Sequence, residues 1–203
     1  MAGRGRNLWL FLVLLGLAGV AGYLQQERRR ETYKVERAAT GQVVTEDHFA
    51  PGEDLEAIDL DRLAGAQKKL DIAMYAFTDR ALADEVIRLA RRGVHVRIYR
   101  DGEQYEQEEN NALKYGDEAV NEMLRGESGI ELRVKPRSRR DLMHLKAYEI
   151  DGRLLRDGSA NWSQAGEKVQ DNNARFTNDP EEIRNFERDF EAMWERGDNL
   201  RVR

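Results

Sequence analysis

Residues 47–203 show two alternating patterns of hydrophobic positions. Three runs are typical of strands, because they are continuously apolar or alternate between apolar and polar positions: 70–77, 94–100 and 130–134. Apolar residues recur at helical spacing in the segments between and after these runs: 54–67, 82–90, 117–125 and 183–194. This succession predicts an α/β fold in which helices cover a sheet.

Local signals add detail to this pattern. Thr78 or Asp79 is placed to cap the second helix. Asp179 followed by Pro180 predicts the start of the last helix, because proline is favoured in the first helical turn. Residues 101–116 are polar and acidic, so their composition predicts a surface loop.

The N-terminal segment has a different character. Leu8–Leu24 is uncharged and mostly apolar, with a length between a signal-peptide core and a spanning helix. Small residues before Gly22 favour cleavage after Ala21, whereas Arg28–Arg30 follow closely, as they often do after a membrane anchor. Both interpretations stay open, and each places the protein outside the cytoplasm or at a membrane.

The predicted organisation has three parts. They are a signal peptide or transmembrane anchor, a polar linker and one folded domain: 1–24, 25–46 and 47–203. If the anchor is not cleaved, it makes the membrane a partner of the protein.

The composition limits the chemistry. The chain has a formal net charge of −5 at pH 7, so an anionic ligand requires a local basic patch. There is no cysteine, which excludes disulfides and thiolate metal sites. His48, His95 and His144 are far apart in the sequence, and none has metal-ligand spacing. We therefore predict no metal and no cofactor.

The stretch MHLKAYEIDGRLLRDGSANWS, residues 143–163, predicts a β-hairpin. Asp151-Gly152 is a strong signal for a two-residue turn. With that turn, Ile150 pairs with Arg153, and the same register places His144 opposite Ser159. Gly158 is expected to leave room for a ligand beside Ser159.

In this register four polar side chains share one face of the hairpin: His144, Lys146, Ser159 and Asn161. An imidazole can attack phosphorus or move a proton, while an ammonium, a hydroxyl and an amide can hold anionic oxygens. Together they suit a phosphate group. Asp151 falls at the turn, where its first interpretation is turn formation or ion pairing.

The spacing of His144, Lys146, Asp151, Gly158-Ser159 and Asn161 resembles the HKD signature of the phospholipase D superfamily. The rest of residues 47–203 is similar to the single-motif branch of that family, which includes small bacterial endonucleases and mitochondrial cardiolipin hydrolases. The resemblance implies a mixed β-sheet sandwiched between helices. It also implies a metal-independent phosphodiesterase in which His144, Lys146 and Asp151 are catalytic, and Ser159 and Asn161 bind phosphate.

The family's site needs two motifs, and this chain has one. The resemblance therefore implies a homodimer whose motifs meet at a two-fold axis. His144 of one subunit would attack phosphorus to form a phosphohistidine. His144 of the other subunit would protonate the leaving oxygen and then activate water.

One position departs from the family. Where close relatives carry a glutamate that orients the histidine, this chain has Asn172. Asparagine can accept a hydrogen bond from the ring, but it has no negative charge to stabilise an imidazolium. Asp171 is the alternative orienter if the register shifts by one residue.

The segment RVKPRSRR, residues 133–140, suggests the substrate. Arg137, Arg139 and Arg140 form a possible rim beside the motif, which favours DNA or RNA. An anionic phospholipid such as cardiolipin is the alternative substrate, and the N-terminal segment would keep the enzyme near it. A non-catalytic phosphate-binding module is the second alternative.

Other aromatic residues have simpler interpretations. Trp162 could stack on a base, although a buried tryptophan beside a strand is commoner, and His48 could line the cleft. His95 is expected to be structural or exposed. Phe190 and Trp194 are core residues by their helical spacing.

Overall fold

A computed structural model describes residues 42–138 and 140–202. Eight strands in this part of the chain form one mixed sheet: β1 Thr45–Ala50, β2 Lys69–Met74, β3 His95–Asp101, β4 Ile130–Lys135, β5 Lys146–Ile150, β6 Leu154–Gly158, β7 Asn172–Thr177 and β8 Leu200–Val202. Their order across the sheet is β1-β7-β6-β5-β2-β3-β4-β8. The pairs β2-β3 and β3-β4 are parallel, and the other neighbours are antiparallel.

Six helices accompany the sheet within the described residues: α1 Leu55–Leu63, α2 Arg80–Arg91, α3 Gly102–Tyr115, α4 Val120–Leu124, α5 Gln164–Lys168 and α6 Pro180–Trp194. The predicted α/β fold with a mixed sheet between helices is confirmed. The Asp79 carboxylate caps α2 and that of Asp179 caps α6, as expected from the sequence.

The core lies on both faces of the central strand β2. One face packs against α6, where Ala73 and Tyr99 join Phe190 and Trp194 in a buried cluster. On the opposite face, Tyr148 donates a hydrogen bond to Asp59 of α1. Because both faces are covered, β2 is buried from Leu70 to Met74 and its residues there are apolar except Asp71, which is why its strand signal is so clear in the sequence.

The prediction of a surface loop at 101–116 is wrong, because Gly102–Tyr115 form α3. The carboxylate of Asp101 accepts hydrogen bonds from the first free N–H groups of the helix, and Gly116 ends it in a left-handed conformation. Tyr105 and Glu108 are buried on its inner side. The helix has few apolar residues because Glu108 contacts the buried Arg100 instead of an apolar neighbour.

The predicted register of the β5-β6 hairpin is wrong by one residue. Asp151 and Gly152 have the positive φ angles of the expected turn, 56° and 68°. Arg153 is nevertheless an extra residue in the loop, so Ile150 pairs with Leu154. In addition, β5 begins at Lys146 and β6 ends at Gly158, so His144 and Ser159 lie outside the paired strands.

The N-terminal predictions fall mostly outside the described residues. Residues 1–24 and 25–41 lie outside the described residues, so the interpretation as a signal peptide or an anchor stays a prediction. The first strand begins at Thr45, so the last two residues of the predicted linker belong to the sheet. Across 42–138 and 140–202, every helix is too short or too polar to span a membrane.

Candidate active site

The candidate site lies at the carboxyl end of β2. Lys146, the first residue of β5, pairs with Met74, the last residue of β2. The backbone N–H of Tyr75 donates to the carbonyl of Leu145 at 2.9 Å, which holds the chain leaving β2 against the segment that contains His144. The next residue, Ala76, donates its N–H to the Asn161 side chain at 3.2 Å. Two consecutive residues thus connect the two halves of the predicted motif.

The His144 side chain is exposed and its ring is held by an aromatic neighbour. The imidazole and the Tyr75 ring have centroids 4.6 Å apart, at an interplanar angle of 56°. The preceding residue, Met143, is buried, and its N–H donates to the Asp101 carboxylate at 3.0 Å. No described residue forms a hydrogen bond with the imidazole. Both ring nitrogens are therefore available to a substrate.

Partial burial lowers the pKa of His144, and the Lys146 charge lowers it further, although Asp101 opposes both effects. The neutral imidazole therefore predominates at neutral pH. This is the form that can act as a nucleophile.

Lys146 is a buried cation, with a side chain only 6% exposed. Its ammonium donates to the carbonyl oxygen of His144 at 2.8 Å and lies 4.8 Å from the centre of the Tyr75 ring. None of the described carboxylates is within ion-pair distance of it. Burial, and then the positive charge of Arg156, lowers the pKa of Lys146 to about 8. A buried ammonium without an anion beside it is suited to receive one from a ligand.

Asn161 offers an unused donor, whereas Ser159 does not. The Asn161 carbonyl oxygen accepts the Ala76 N–H, so the amide group is fixed, and its NH₂ has no partner in the described part of the chain. The Ser159 hydroxyl donates to Asn172 at 3.0 Å and accepts from the Asn173 N–H at 2.9 Å. Asn161 is therefore better placed than Ser159 to donate to a phosphate.

A comparison with protein families agrees with this arrangement. The family described as "Cardiolipin synthase, PLD-like domain" matches residues 60–194, which include most of the sheet and all of the motif. The chain belongs to the phospholipase D superfamily.

Individual proteins that are similar to this phospholipase D-like chain agree with the family match. The mitochondrial cardiolipin hydrolase of Chlamydomonas reinhardtii is 31% identical over 136 residues, which cover 67% of this chain and 56% of that protein. The human protein of the same name is 32% identical over 133 residues, covering 66% and 48%. The chain thus spans about half the length of these curated relatives.

Two solved structures share the phospholipase D fold at 21% sequence identity. NucT from Helicobacter pylori has a TM-score of 0.67, over 79% of this chain and 100% of that one. Nuc from Salmonella typhimurium, a phospholipase D family member, has a TM-score of 0.66, over 80% and 99%.

The motif aspartate of this phospholipase D-like chain lies apart from the histidine and the lysine. Asp151 follows the last residue of β5, roughly 16 Å along the strand from Lys146 at about 3.3 Å per residue. Its carboxylate accepts the N–H groups of Gln67, Lys68 and Lys69 at 2.8–2.9 Å. Asp151 thereby fastens the hairpin loop to the start of β2, in agreement with the turn and ion-pairing interpretation.

Asp151→Asn should therefore lower stability rather than turnover. Burial alone would raise the pKa of Asp151, but the backbone N–H groups outweigh it and lower the pKa. The carboxylate thus stabilises the fold above its unfolded pKa, and this contribution is lost as pH falls through the folded pKa. We expect the variant to lose about 1–3 kcal/mol of unfolding free energy near neutrality. Denaturant titrations at several pH values should show the difference shrinking in acid, with kcat within about threefold of wild type.

Asn172, the predicted orienter of the histidine, contacts Ser159 instead. Its oxygen accepts from the Ser159 hydroxyl, and its NH₂ donates to the Gly166 carbonyl at 3.0 Å. Neither bond involves His144. In this chain Asn172 ties the loop after β6 to the start of β7.

Gly158 serves the close approach of two strands rather than that of a ligand. Its φ is +144°, and a Cβ atom placed there would overlap the carbonyl oxygen of Asn173 in β7. The expectation that Gly158 leaves space for a ligand beside Ser159 is therefore wrong. The space is filled by the backbone of the neighbouring strand.

Gly158→Ala should destabilise the protein by about 2–4 kcal/mol, because strain and a backbone clash combine at one position. Gly152→Ala is a matched control: its φ is +68°, but a Cβ there meets nothing within 4 Å. We expect the control to cost only about 1–2 kcal/mol. Equal losses in thermal unfolding would show that the close approach of β7 is unimportant.

The basic segment 133–140 is largely paired with acidic groups, although Arg137 is the one residue of the predicted rim for which a pair is described. Three of its side chains form ion pairs: Arg133 with Glu195 at 3.3 Å, Lys135 with Asp141 at 2.7 Å, and Arg137 with Glu106 at 3.2 Å. Arg140 forms no ion pair with a described residue, and Arg139 lies outside the described residues. Within the described chain, the unpaired positive charge of this segment is thus reduced to Arg140.

The remaining candidates make structural or surface contacts. Trp162 is fully buried and donates from its indole nitrogen to Asp59 at 2.9 Å, so it cannot stack on a base. His48, in the edge strand β1, pairs with Glu53 of the loop that follows it. His95 pairs with Glu131 and is exposed, as expected.

Sequence reasoning missed Tyr75 and Arg156. Tyr75 could have been found from the sequence, because it directly follows the buried strand β2, and functional side chains often lie at strand ends. Arg156 is a charged residue at a buried position of β6, and it could have been noticed as an interruption of the apolar pattern.

Proposed function

We propose that this protein is a metal-independent phosphodiesterase that forms a phosphohistidine intermediate. The observation that supports it most is the pairing of an exposed imidazole, His144, with the buried Lys146, which has no carboxylate partner in the described chain. The negative charge of a phosphodiester would supply the counter-ion that Lys146 lacks in the described chain. The Asn161 amide would add a hydrogen bond to the same group.

The reaction takes two displacements at phosphorus. Neutral His144 attacks, a nitrogen–phosphorus bond forms, and the bond to the leaving oxygen breaks as that oxygen receives a proton. Water then attacks the phosphohistidine, gives up a proton, and releases His144 and a phosphomonoester. Lys146 stabilises the charge on the non-bridging oxygens in both steps.

The proton donor in the first step and the base in the second are a second His144. We propose that a homodimer supplies it, because the chain carries one motif and a two-fold axis brings identical surfaces together. Sedimentation at the assay concentration tests this point. A fully active monomer would exclude a shared site.

Nucleic acid is the first proposed substrate class. The segment before β5 places Arg140 close to His144 in the chain, and a polymer of phosphodiesters would exploit even a small positive rim doubled by the dimer. Cleavage of nucleic acid should weaken steeply with salt. The acidic partners of Arg137 and Lys135 make the expected salt dependence smaller than the bare sequence suggests.

A phospholipid is the second candidate. Leu142 and Leu145 flank His144, and each is 42% exposed. Together with Met143 and Met193 they form the apolar part of a cavity of about 310 Å³ beside the imidazole, whose lining also includes Tyr99, Lys135 and Arg196. Apolar groups around a phosphate site favour a lipid phosphodiester, and the relatives named mitochondrial cardiolipin hydrolase agree with that chemistry.

One assay distinguishes these candidates. The full chain is incubated in excess EDTA with single-stranded DNA, with RNA, and with vesicles that contain cardiolipin. Cleavage of a polymer supports the nuclease, and release of phosphatidic acid supports the lipid hydrolase. If a folded dimer cleaves none of them, the phosphate-binding module is the better description.

A further inference from the structure

A fully buried arginine lies directly beneath the candidate site. One guanidinium nitrogen of Arg156 donates to the carbonyl oxygen of Lys146 at 2.8 Å and to that of Ala160 at 3.1 Å. Lys146 carries the ammonium of the site, and Ala160 precedes Asn161, which carries the amide. A single planar group therefore fixes the two backbone segments that present both donors.

The counter-ions of Arg156 come from two helices on the other side. The second guanidinium nitrogen lies 3.3 Å from the Asp59 carboxylate and 3.4 Å from that of Glu167, and both acids are fully buried. Burial and the nearby charge of Asp59 raise the pKa of Glu167 to about 9, against the opposing effect of Arg156. Glu167 is therefore protonated at neutral pH.

The contacts of Arg156 are not those expected of a residue that serves stability alone. The Nε atom of Arg156 and one oxygen of Glu167 are buried without a hydrogen-bond partner among the described residues. Replacing a buried ion pair by well-packed apolar side chains is often neutral or stabilising. The presence of a guanidinium with an unsatisfied nitrogen is better explained by the carbonyl groups that another of its nitrogens fixes.

We propose that Arg156 is a positioning residue. Its guanidinium fixes the carbonyl groups of Lys146 and Ala160 so that the Lys146 ammonium and the Asn161 amide converge on one phosphoryl group. The inference rests on the proposed function of the same site, and it adds a residue that does not itself touch the substrate.

The charge of Arg156 has a second effect that a purely structural residue would not have. Three groups face Lys146: Arg156 of β6, Tyr75 at the end of β2, and His144 of the segment before β5. Arg156 in turn faces Asp59 and Glu167 of α1 and α5, together with Tyr148 and Asp157 of the sheet. Because Arg156 is a like charge for Lys146, its removal should raise the pKa of Lys146.

Binding of inorganic phosphate to the full chain tests the inference without requiring turnover. Arg156→Met removes both carbonyl contacts, while Asp59 keeps its hydrogen bonds from Tyr148 and Trp162. Calorimetry should show phosphate affinity reduced by at least about tenfold. Glu167→Gln is the matched control, since it changes the same buried network but leaves the carbonyl contacts, and its affinity should stay within about twofold.

Arg156→Lys covers the case in which the methionine variant does not fold. A lysine keeps the charge but has a single nitrogen, so it cannot contact the two carbonyls on one side and Asp59 on the other at the same time. Its phosphate affinity should fall by about threefold or more. On any phosphodiester that the wild type cleaves, Arg156→Met should also shift the alkaline limb of kcat/KM to higher pH, whereas Glu167→Gln should leave it in place.

The outcomes separate this inference from the proposed function. Wild-type phosphate affinity in the folded Arg156 variants would overturn the positioning role, even if the enzyme cleaves phosphodiesters. A wild type that does not bind phosphate would overturn it as well. A wild type that binds phosphate and cleaves nothing would contradict the proposed function, and the phosphate affinities of the variants would still decide the role of Arg156.

Discussion

Replacing His144 by asparagine should reduce turnover of any cleavable phosphodiester by on the order of 10⁴-fold or more. Asparagine cannot form the covalent bond to phosphorus, nor can it donate and recover a proton near neutrality. Fold and assembly should be unchanged, because the imidazole forms no hydrogen bond with a described residue and packs at a tilted angle against the Tyr75 ring. Initial rates with purified enzyme, together with circular dichroism and sedimentation, measure both parts of this expectation.

His95→Asn is the matched control, since His95 is exposed and pairs with Glu131 on a strand away from the site. It should keep wild-type rates within about twofold. Residual activity of the His144 variant near the wild-type level would remove the imidazole from the mechanism.

Mixing the same variant with wild type examines the shared site. After random exchange of subunits at equal amounts, about half of the wild-type subunits would have an inactive partner. If catalysis needs an imidazole from each subunit, activity per wild-type subunit should fall by about half. Unchanged activity would place both catalytic groups in one chain.

Lys146→Met should have the second largest effect, a loss on the order of 10²–10³ in kcat/KM. Methionine keeps most of the volume and the contact with Tyr75, but it removes the charge that would balance the phosphoryl oxygens. Stability should not suffer, because Lys146 is a buried ammonium without a described carboxylate partner, and burying such a charge is costly. Thermal unfolding of the variant should occur at the wild-type temperature or above it.

The pH profile gives an independent measure of the same residue. With the pKa of Lys146 near 8, the ammonium is present below that pH and is lost above it. The kcat/KM of the wild type should therefore decline above about pH 8, by about tenfold per pH unit. In Lys146→Arg the guanidinium stays charged, so the decline should disappear even if the overall rate is lower. A decline at the same pH in the arginine variant would assign it to another group.

Sequence patterns sufficed where local chemistry decides the structure. The buried run of β2 and the Asp179-Pro180 start of α6 were predictable because each depends on residues within one element. The proximity of His144 and Lys146 was also predictable, since they lie two residues apart on one side of the same turn.

The errors arose where distant residues decide. The register of the hairpin depends on Arg153 entering the loop while Asp151 binds the start of β2, which no pattern within the hairpin indicates. The helix at 102–115 escaped notice because its inner contact is an ion pair between Glu108 and Arg100. Likewise, the functional importance of Arg156 depends on two carbonyl groups that only the folded chain brings together.

The lowered pKa of Lys146 has a consequence for the thermodynamics of ligand binding. An anion that enters beside Lys146 favours its protonated form, so at pH 8.5 each binding event should draw part of a proton from the solvent. The heat of binding would then depend on the ionisation enthalpy of the buffer. The protein would bind the anion and take up the proton together, and its affinity for both would fall at mildly alkaline pH.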